Sequence, residues 1–256
     1  MIFESKRVIS SAFIDSSVRM GVAQSVLLVQ DNLTECFAAM GCDGIAYREK
    51  YNMFWVFTKT KVHFERRPDW RELVTVRTFP IDNAGMRTHV NTEVLDKDGN
   101  RLLVANQEAC VLSLENHRPV KITNLNYPKE GFPPAAYAEP FARFPSDFSE
   151  EDLVFEQPVR SCHIDMSRHM NNIEYIKLAL SVFSDDFLQS HDITDLEVHY
   201  TGESKEGQLL RVYRRDASDC AGKSFVHIKE SGRCVFECCL FFIRLAVQVP
   251  AARLWA

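Results

Sequence analysis

Two segments of this chain carry helical apolar periodicity, and each is followed by four runs of strand character. In the first, Val22, Val26, Leu27, Val29, Leu33, Phe37 and Met40 give a wide apolar face over Val22–Met40. Gln30, Asp31 and Asn32 interrupt that face, and Gly41 stands where a helix commonly ends. Phe54–Phe64, Glu72–Phe79, Met86–Leu95 and Arg101–Leu114 then follow, rich in aromatic and β-branched residues, with Asp98-Gly99 as a tight hairpin turn between the last two. The second helical segment, within Ser161–Phe183, opens on a polar run and passes into a helix without Gly or Pro. Glu174, Lys177, Ser181 and Ser184 mark one narrow wet stripe, while Ile173, Tyr175, Ile176, Leu178, Ala179, Leu180, Val182 and Phe183 cover the rest. A helix apolar over most of its circumference has to be wrapped by other structure. Asp195–Tyr200, Gln208–Arg215, Lys223–Glu230 and Arg233–Leu245 read as its strands, and Ser231-Gly232 takes the place of the earlier Asp-Gly turn.

The two halves lie over one another. Val62-His63-Phe64 matches Val198-His199-Tyr200, Leu73 matches Leu209, Val76 matches Val212, and at the same offset Arg67 falls on Glu203. Five of the ten prolines fall between Pro128 and Pro145, so that stretch reads as an extended connector. The expected organisation is residues 1–126 as one half, 127–146 as connector and 147–256 as the other half. A helix followed by antiparallel strands, twice, predicts an α+β fold with a curled sheet around each helix.

Composition narrows the class without naming a chemistry. At 256 residues, 46% hydrophobic and 25% charged, the chain has ample core for an ordinary globular protein. A formal net charge of −5 argues against general nucleic-acid binding. The eight cysteines lack a C-x-x-C pair, and those in strand-like runs (Cys110, Cys234, Cys239) are expected to be reduced packing residues, not a metal or disulfide framework. MIFESKRVIS holds no signal-like apolar run, and Cys238–Ile243 is too short to span a bilayer, so a cytoplasmic protein without membrane insertion is expected.

Candidate chemistry gathers in the polar run before the second helix: Asp165, Ser167, His169, Asn171 and Asn172. Asn171, with Glu174 three residues on, suits a cap and its partner. Free backbone N–H groups and partial positive charge collect at such a helix end, which favours a developing oxyanion. Blander roles stand beside this one. Asp165 suits a turn, His169 a solvated loop position, and Asn171 and Asn172 plain caps. Asp31 faces either solvent or the interior; His63 and His199 share a strand position and hence a packing role; Trp55 and Phe57 suit a core that also lines a tunnel.

Asp165-Met166-Ser167-Arg168-His169-Met170-Asn171-Asn172-Ile173-Glu174-Tyr175-Ile176 resembles the D-x-N-x-H-x-N-N-x-x-Y-I pattern of the acyl-acyl-carrier-protein thioesterases, a double hot-dog family of plant plastids and bacteria. Phe54-Trp55-Val56, the segment Val62 to Trp70, Gln30-Asp31, and His199-Tyr200-Thr201-Gly202-Glu203 are similar to further family segments, so the resemblance spans nearly the whole chain. It implies tandem hot-dog halves and hydrolysis of a fatty acyl thioester on the phosphopantetheine arm of acyl carrier protein, with no metal or organic cofactor. The second half would carry the chemistry and the first would shape the acyl pocket. The family's catalytic Asp, His and Glu fall on Asp165, His169 and Glu203, and its Asn falls on Ser167, where the sequence departs. Serine offers one hydroxyl in place of an amide donor and a carbonyl acceptor. His163 stands where a second acid is common.

On that basis Asp165, His169 and Glu203 are expected to form one hydrogen-bonded group around the attacking water. Backbone N–H groups near Asn171 and Asn172 would receive the carbonyl oxygen, and Asp31 and Trp55 are further substrate-binding candidates. Ser167 as nucleophile is disfavoured: no G-x-S-x-G elbow surrounds it, and five residues rarely hold a triad. Because the carrier protein is acidic, Arg66, Arg67, Arg71, Arg211, Arg214 and Arg215 are docking candidates, against a reading as solvated charges. A homodimer stays open. The rival activities are hydrolysis of coenzyme A thioesters and non-catalytic acyl binding.

Overall fold

A computed structural model describes residues 1–245; residues 246–256, the end of the expected second half, lie outside the described residues. The chain divides into two compact units, Met1–Ile14 with Arg19–Pro140, and Asp15–Val18 with Phe141–Ala256.

The first unit runs β1 (Phe3–Val8), α1 (Val22–Ala39), α2 (Gly44–Tyr51), β2 (Met53–Phe64), β3 (Leu73–Pro80), β4 (Arg87–Leu95), β5 (Arg101–Ser113) and the two-residue β6 (Pro119–Val120). Its strands pair antiparallel in the order β1-β3-β4-β5-β2, with β6 on β5. Strand alternation buries Val74, Val76 and Thr78 of β3, and α1 buries Val22, Val26, Val29, Leu33 and Phe37. Asn32, an interruption of the apolar face, lies inside: its Oδ1 accepts from Ser5 Oγ (2.6 Å) and its Nδ2 donates to Thr78 Oγ1 (2.8 Å). A buried amide so satisfied fastens the edge strand β1 to the helix. Helix α2 is absent from the apolar pattern because it is short and polar on most sides. Asp43 starts it by accepting from the N–H of Ile45 and Ala46, and Asn52 ends it in the left-handed region (φ 53°).

The second unit runs β7 (Leu153–Pro158), α3 (Asn172–Leu180), α4 (Asp185–Ser190), β8 (His191–Tyr200), β9 (Leu209–Asp216), β10 (Lys223–Glu230) and β11 (Arg233–Arg244). The order β7-β9-β10-β11-β8, again antiparallel, repeats that of the first unit strand for strand. Tyr175 of α3 stacks on Phe236 of β11 (5.5 Å between centroids, 12°), which seats the helix on its sheet. Only Lys177 on α3 is exposed, as expected for a wrapped helix. The helix is shorter than its periodicity suggests, nine residues against eighteen in α1. Ser181 turns its hydroxyl onto the Leu178 carbonyl (2.7 Å), and Ser184 caps a new helix by accepting from Phe187 N–H (3.2 Å). Serine hydroxyls compete for local backbone groups, so the wet stripe belongs to two helices. The edge strands β1 and β7 also escape the pattern: each is six residues long, β1 carries Glu4, Lys6 and Arg7, and β7 ends in Pro158, charge and proline both being common on exposed edges.

Residues 128–148 carry neither helix nor strand. In the first unit Tyr137 exchanges two hydrogen bonds with the Asn91 side chain. In the second, Phe144 stacks on His199 and Phe148 on His227.

One charged group in the first unit ties stability to pH. His89 Nδ1 lies 2.7 Å from Asp82 Oδ2, and its Nε2 lies 3.5 Å from Glu108 Oε2. The bond to Asp82, then that to Glu108, raises the imidazole from 6.5 to about 9. Burial alone would raise Glu108, but bonds from His89 and Thr58 and the charge of Arg87 hold it down at about 2. A histidine whose folded value is raised gives its full stabilisation below about pH 6.5 and loses it as pH climbs through about 9. With solvent screening allowed for, the contribution is about 1–2 kcal/mol. The stability gap between wild type and His89→Gln, measured by urea unfolding, is therefore expected to shrink from neutral to alkaline pH. A gap constant across that interval would contradict the ion pair.

Candidate active site

The polar run before α3 folds as a closed turn. Ile164 and Met170 form an isolated antiparallel bridge, and Asp165 N–H donates to the His169 carbonyl (3.0 Å). Inside the turn Asp165 Oδ1 accepts from Ser167 N–H (2.8 Å) and from Ser167 Oγ (2.5 Å), the usual way an Asp stabilises a reversal. Arg168 is left in the left-handed region (φ 64°), a strain of about 1 kcal/mol or more that the surrounding bonds hold in place. Asn171 caps α3 by accepting from Ile173 N–H (2.8 Å), and its Nδ2 makes a long bond (3.4 Å) to Asp165 Oδ2. Glu174 pairs with Lys177 (2.6 Å) and not with the cap.

The turn is tied to the chain leaving β8, where Met170 N–H donates to the Ser204 carbonyl (2.8 Å). Thr201 and Gly202 N–H both donate to the Val235 carbonyl, and a Cβ on Gly202 would lie 3.0 Å from Val235 Cγ1, so only glycine fits there without displacement. Together these bonds put His169 Nε2 3.1 Å from Glu203 Oε2, with the two side chains 25% and 52% exposed. His169 also lines a cavity of about 600 Å³ with Ile164, Ser167, Arg168, Lys205 and Glu206.

The first half contains the same turn with different chemistry. Asp15 Oδ1 accepts from Ser17 N–H (2.9 Å) and Oγ (2.5 Å), and Val18 takes the left-handed position of Arg168 (φ 60°). Met20 N–H donates to the Pro68 carbonyl (2.8 Å), as Met170 does to Ser204. Arg19, Gly21 and Arg67 stand where the second half has His169, Asn171 and Glu203. The signal lay in the sequence as Asp-Ser-Ser-Val-Arg-Met beside Asp-Met-Ser-Arg-His-Met, at an offset different from the one that aligns the strands. The difference arises mostly because the helices of the first half are longer, 18 and 8 residues in α1 and α2 against 9 and 6 in α3 and α4.

Other expected site residues are placed as follows. The Asn171 N–H donates to the His163 carbonyl (2.9 Å), so it is not available to a substrate oxygen as expected. Asn172 is the first residue of α3. His163 Nδ1 accepts from Arg160 N–H (3.1 Å). Asp31 lies on the outer side of α1, 56% exposed and 3.5 Å from Arg7, which resolves its orientation toward solvent. Trp55 sits in an aromatic cluster of the first unit, stacked on Tyr47 (5.3 Å, 21°), and donates to the Cys42 carbonyl (2.7 Å).

The docking arginines are largely neutralised. Arg66 chelates Glu72; Arg67 is buried, with Nη1 on the Met20 carbonyl; Arg71 holds a left-handed turn position (φ 67°). Arg211 chelates Glu150, Arg214 pairs with Asp216, and Arg215 pairs with Asp147 and Asp152. Paired charges cancel most of the field an acidic partner would feel. Arg168, Lys205 and Glu206 were missed, because their place on the cavity depends on turn geometry and not on any motif.

Residues 1–126 match the family model for the acyl-ACP thioesterase N-terminal domain, and residues 147–236 match that for the acyl-ACP thioesterase C-terminal domain. The chain belongs to the acyl-ACP thioesterase family. Three solved structures share its fold across nearly the full length of both chains. An acyl-ACP thioesterase from Bacteroides thetaiotaomicron is 21% identical, with a TM-score of 0.83 over 94% of this chain and 98% of the other. A putative oleoyl thioesterase from Lactobacillus plantarum is 19% identical, with a TM-score of 0.81 over 96% and 98%. A 12:0-ACP thioesterase from Umbellularia californica is 16% identical, with a TM-score of 0.81 over 95% and 98%. Curated protein sequences yield no match. The fold is the double hot-dog, and this acyl-ACP thioesterase is a hydrolase of fatty acyl-ACP thioesters.

Proposed function

We propose that His169 and Glu203 are the catalytic pair of this thioesterase and that Asp165 and Ser167 build the turn that holds the histidine. The observation that carries this is their 3.1 Å contact, with His169 on the cavity wall, at the two positions where the first half has arginines instead. Glu203 takes a proton from water as its oxygen attacks the thioester carbonyl carbon. The oxyanion is stabilised by the Asn171 side-chain amide, whose bond to Asp165 is long enough to yield. The C–S bond then breaks, and His169 protonates the departing thiolate. Transfer of the proton on Glu203 to His169 restores both groups, so water is divided between acid and thiol.

Ser167 is a poor nucleophile in this arrangement. Its hydroxyl proton is committed to Asp165, while the imidazole is paired with a different carboxylate, so the Ser–His–Asp order is not formed. Serine in place of the family's Asn leaves lone pairs that can accept from the attacking water and no amide donor. That Asp165, His169 and Glu203 all fall within 147–256 supports chemistry in the second half, with residues 1–126 shaping the acyl pocket. The acidic carrier is met by Arg168 and Lys205 at the cavity, beside Met166, which is 93% exposed. A cytoplasmic location belongs to the same proposal; among the described residues no helix is long and apolar enough to cross a membrane.

In a thiol-release assay on acyl-ACP, His169→Gln and Glu203→Gln are each expected to lower kcat by about 10²–10⁴-fold, the usual scale for a lost general acid or base. Ser167→Ala is expected to lose less than either. Wild-type turnover by Glu203→Gln would remove the pair from the mechanism. For docking, Arg168→Glu with Lys205→Glu should raise KM for acyl-ACP several-fold and leave KM for a small acyl thioester unchanged; equal effects on both substrates would refute it.

A further inference from the structure

A second cluster of reactive side chains lies in the second unit, on the face of the sheet turned away from α3. Phe236 points to Tyr175 of that helix, so its neighbour Glu237 points the other way. Glu237 is paired with His227 on β10 and with His199 on β8, which sets three titratable residues in a row across three strands. Cys234 would ordinarily face the opposite side, three residues from Glu237. The register slips there, however: Phe236 pairs with Ile228 but Cys234 with Lys229, which leaves Val235 as an extra residue. A bulge of this kind re-aims the side chain beyond it. Cys234 Sγ accordingly lies 3.8 Å from His227 Nδ1.

We propose that His227, Cys234 and Glu237 bind a divalent transition metal of the zinc type. One ligand atom from each lies within 4.8 Å of the others. A tetrahedral zinc with bonds of about 2.0–2.3 Å sets its ligands roughly 3.3–3.8 Å apart, so closure needs movements of an ångström or less. The donor set of imidazole nitrogen, thiolate sulfur and carboxylate oxygen is the mixture that borderline metals prefer. His227 is 1% exposed, and its Nε2 has no hydrogen-bond partner, although it lies 3.7 Å from Glu237 Oε1. A metal takes only one ring nitrogen: on Nε2, shared with Glu237, it removes the cost of about 1–3 kcal/mol of that buried atom, and Cys234 Sγ, which lies against Nδ1, turns to reach it.

His199 lies outside this group and backs Glu237 from the neighbouring strand, so water completes four-coordination. Its Nδ1 lies 3.6 Å from Glu237 Oε2, and its Nε2 is bonded to Glu197 Oε1 at 2.8 Å, so it orients the carboxylate ligand from outside the metal's own shell. Phe148 and Phe144 stack on the two imidazoles and restrict water. Glu237, with 20% of its side chain exposed, gives the route of entry. Cys234 is thereby assigned a role other than the packing its strand suggested. The metal would clamp β10 and β11 beneath the connector.

The test uses the full-length chain stripped with a chelator and titrated with Co²⁺ and then Zn²⁺. One equivalent of Co²⁺ should produce a near-ultraviolet thiolate-to-metal band that Zn²⁺ discharges, and Zn²⁺ should raise the melting temperature. Cys234→Ser should abolish the band and weaken Zn²⁺ by more than the roughly 10–100-fold that an outer-shell change costs. Cys162→Ser, at an exposed thiol elsewhere, should leave both effects intact. Stripped wild type showing neither band nor thermal shift would overturn the site, as would a band that survives in Cys234→Ser.

Discussion

One backbone hydrogen bond, from Met170 N–H to the Ser204 carbonyl, is what makes two separate segments into a single site. Met170 follows His169 and Ser204 follows Glu203, so a 2.8 Å bond between their backbones leaves the preceding side chains little freedom except to meet. The bond is itself held from both sides. The Asp165 carboxylate closes the turn ahead of Met170, and the Val235 carbonyl, through Thr201 and Gly202, fixes the chain ahead of Ser204. None of these contacts uses His169 Nε2 or a Glu203 carboxylate oxygen, so the pair is positioned without being covered.

The duplication separates scaffold from chemistry. The Asp15–Ser17 turn, the left-handed Val18 and the Met20–Pro68 bond reproduce the second-half geometry closely, yet the half that contains them presents Arg19 and Arg67. An Asp on a Ser hydroxyl is therefore a property of the fold that appears with or without an imidazole nearby. An imidazole facing a carboxylate appears once in these two turns. A double hot-dog built in this way can alter one site while the other half keeps the architecture.

Much of this was legible in the chain. The strands β2 to β5 and β8 to β11 follow from aromatic and β-branched runs with turn residues between them. Asp165, Ser167, His169 and Asn171 lie within seven consecutive positions, whereas Glu203 entered only through the resemblance of His199-Tyr200-Thr201-Gly202-Glu203 to a family segment. What escaped did so for physical reasons. Helix α4 hid because Ser184 looked like the next residue of a stripe when it is a cap. The arginines read as free cations because Glu150 and Asp147 sit more than sixty residues from Arg211 and Arg215. Cys234 read as core because strict alternation put it there, and a one-residue bulge moved it.

The proposed catalysis requires His169 and Glu203 to act as one device. A double-mutant cycle on kcat/KM for acyl-ACP with His169→Gln, Glu203→Gln and the combined variant measures this directly. Groups that work as a unit are grossly non-additive when removed. The combined variant should be about as slow as the slower single one; losses that multiply would mean that the two side chains serve separate steps, and the pair would not be the centre of this site.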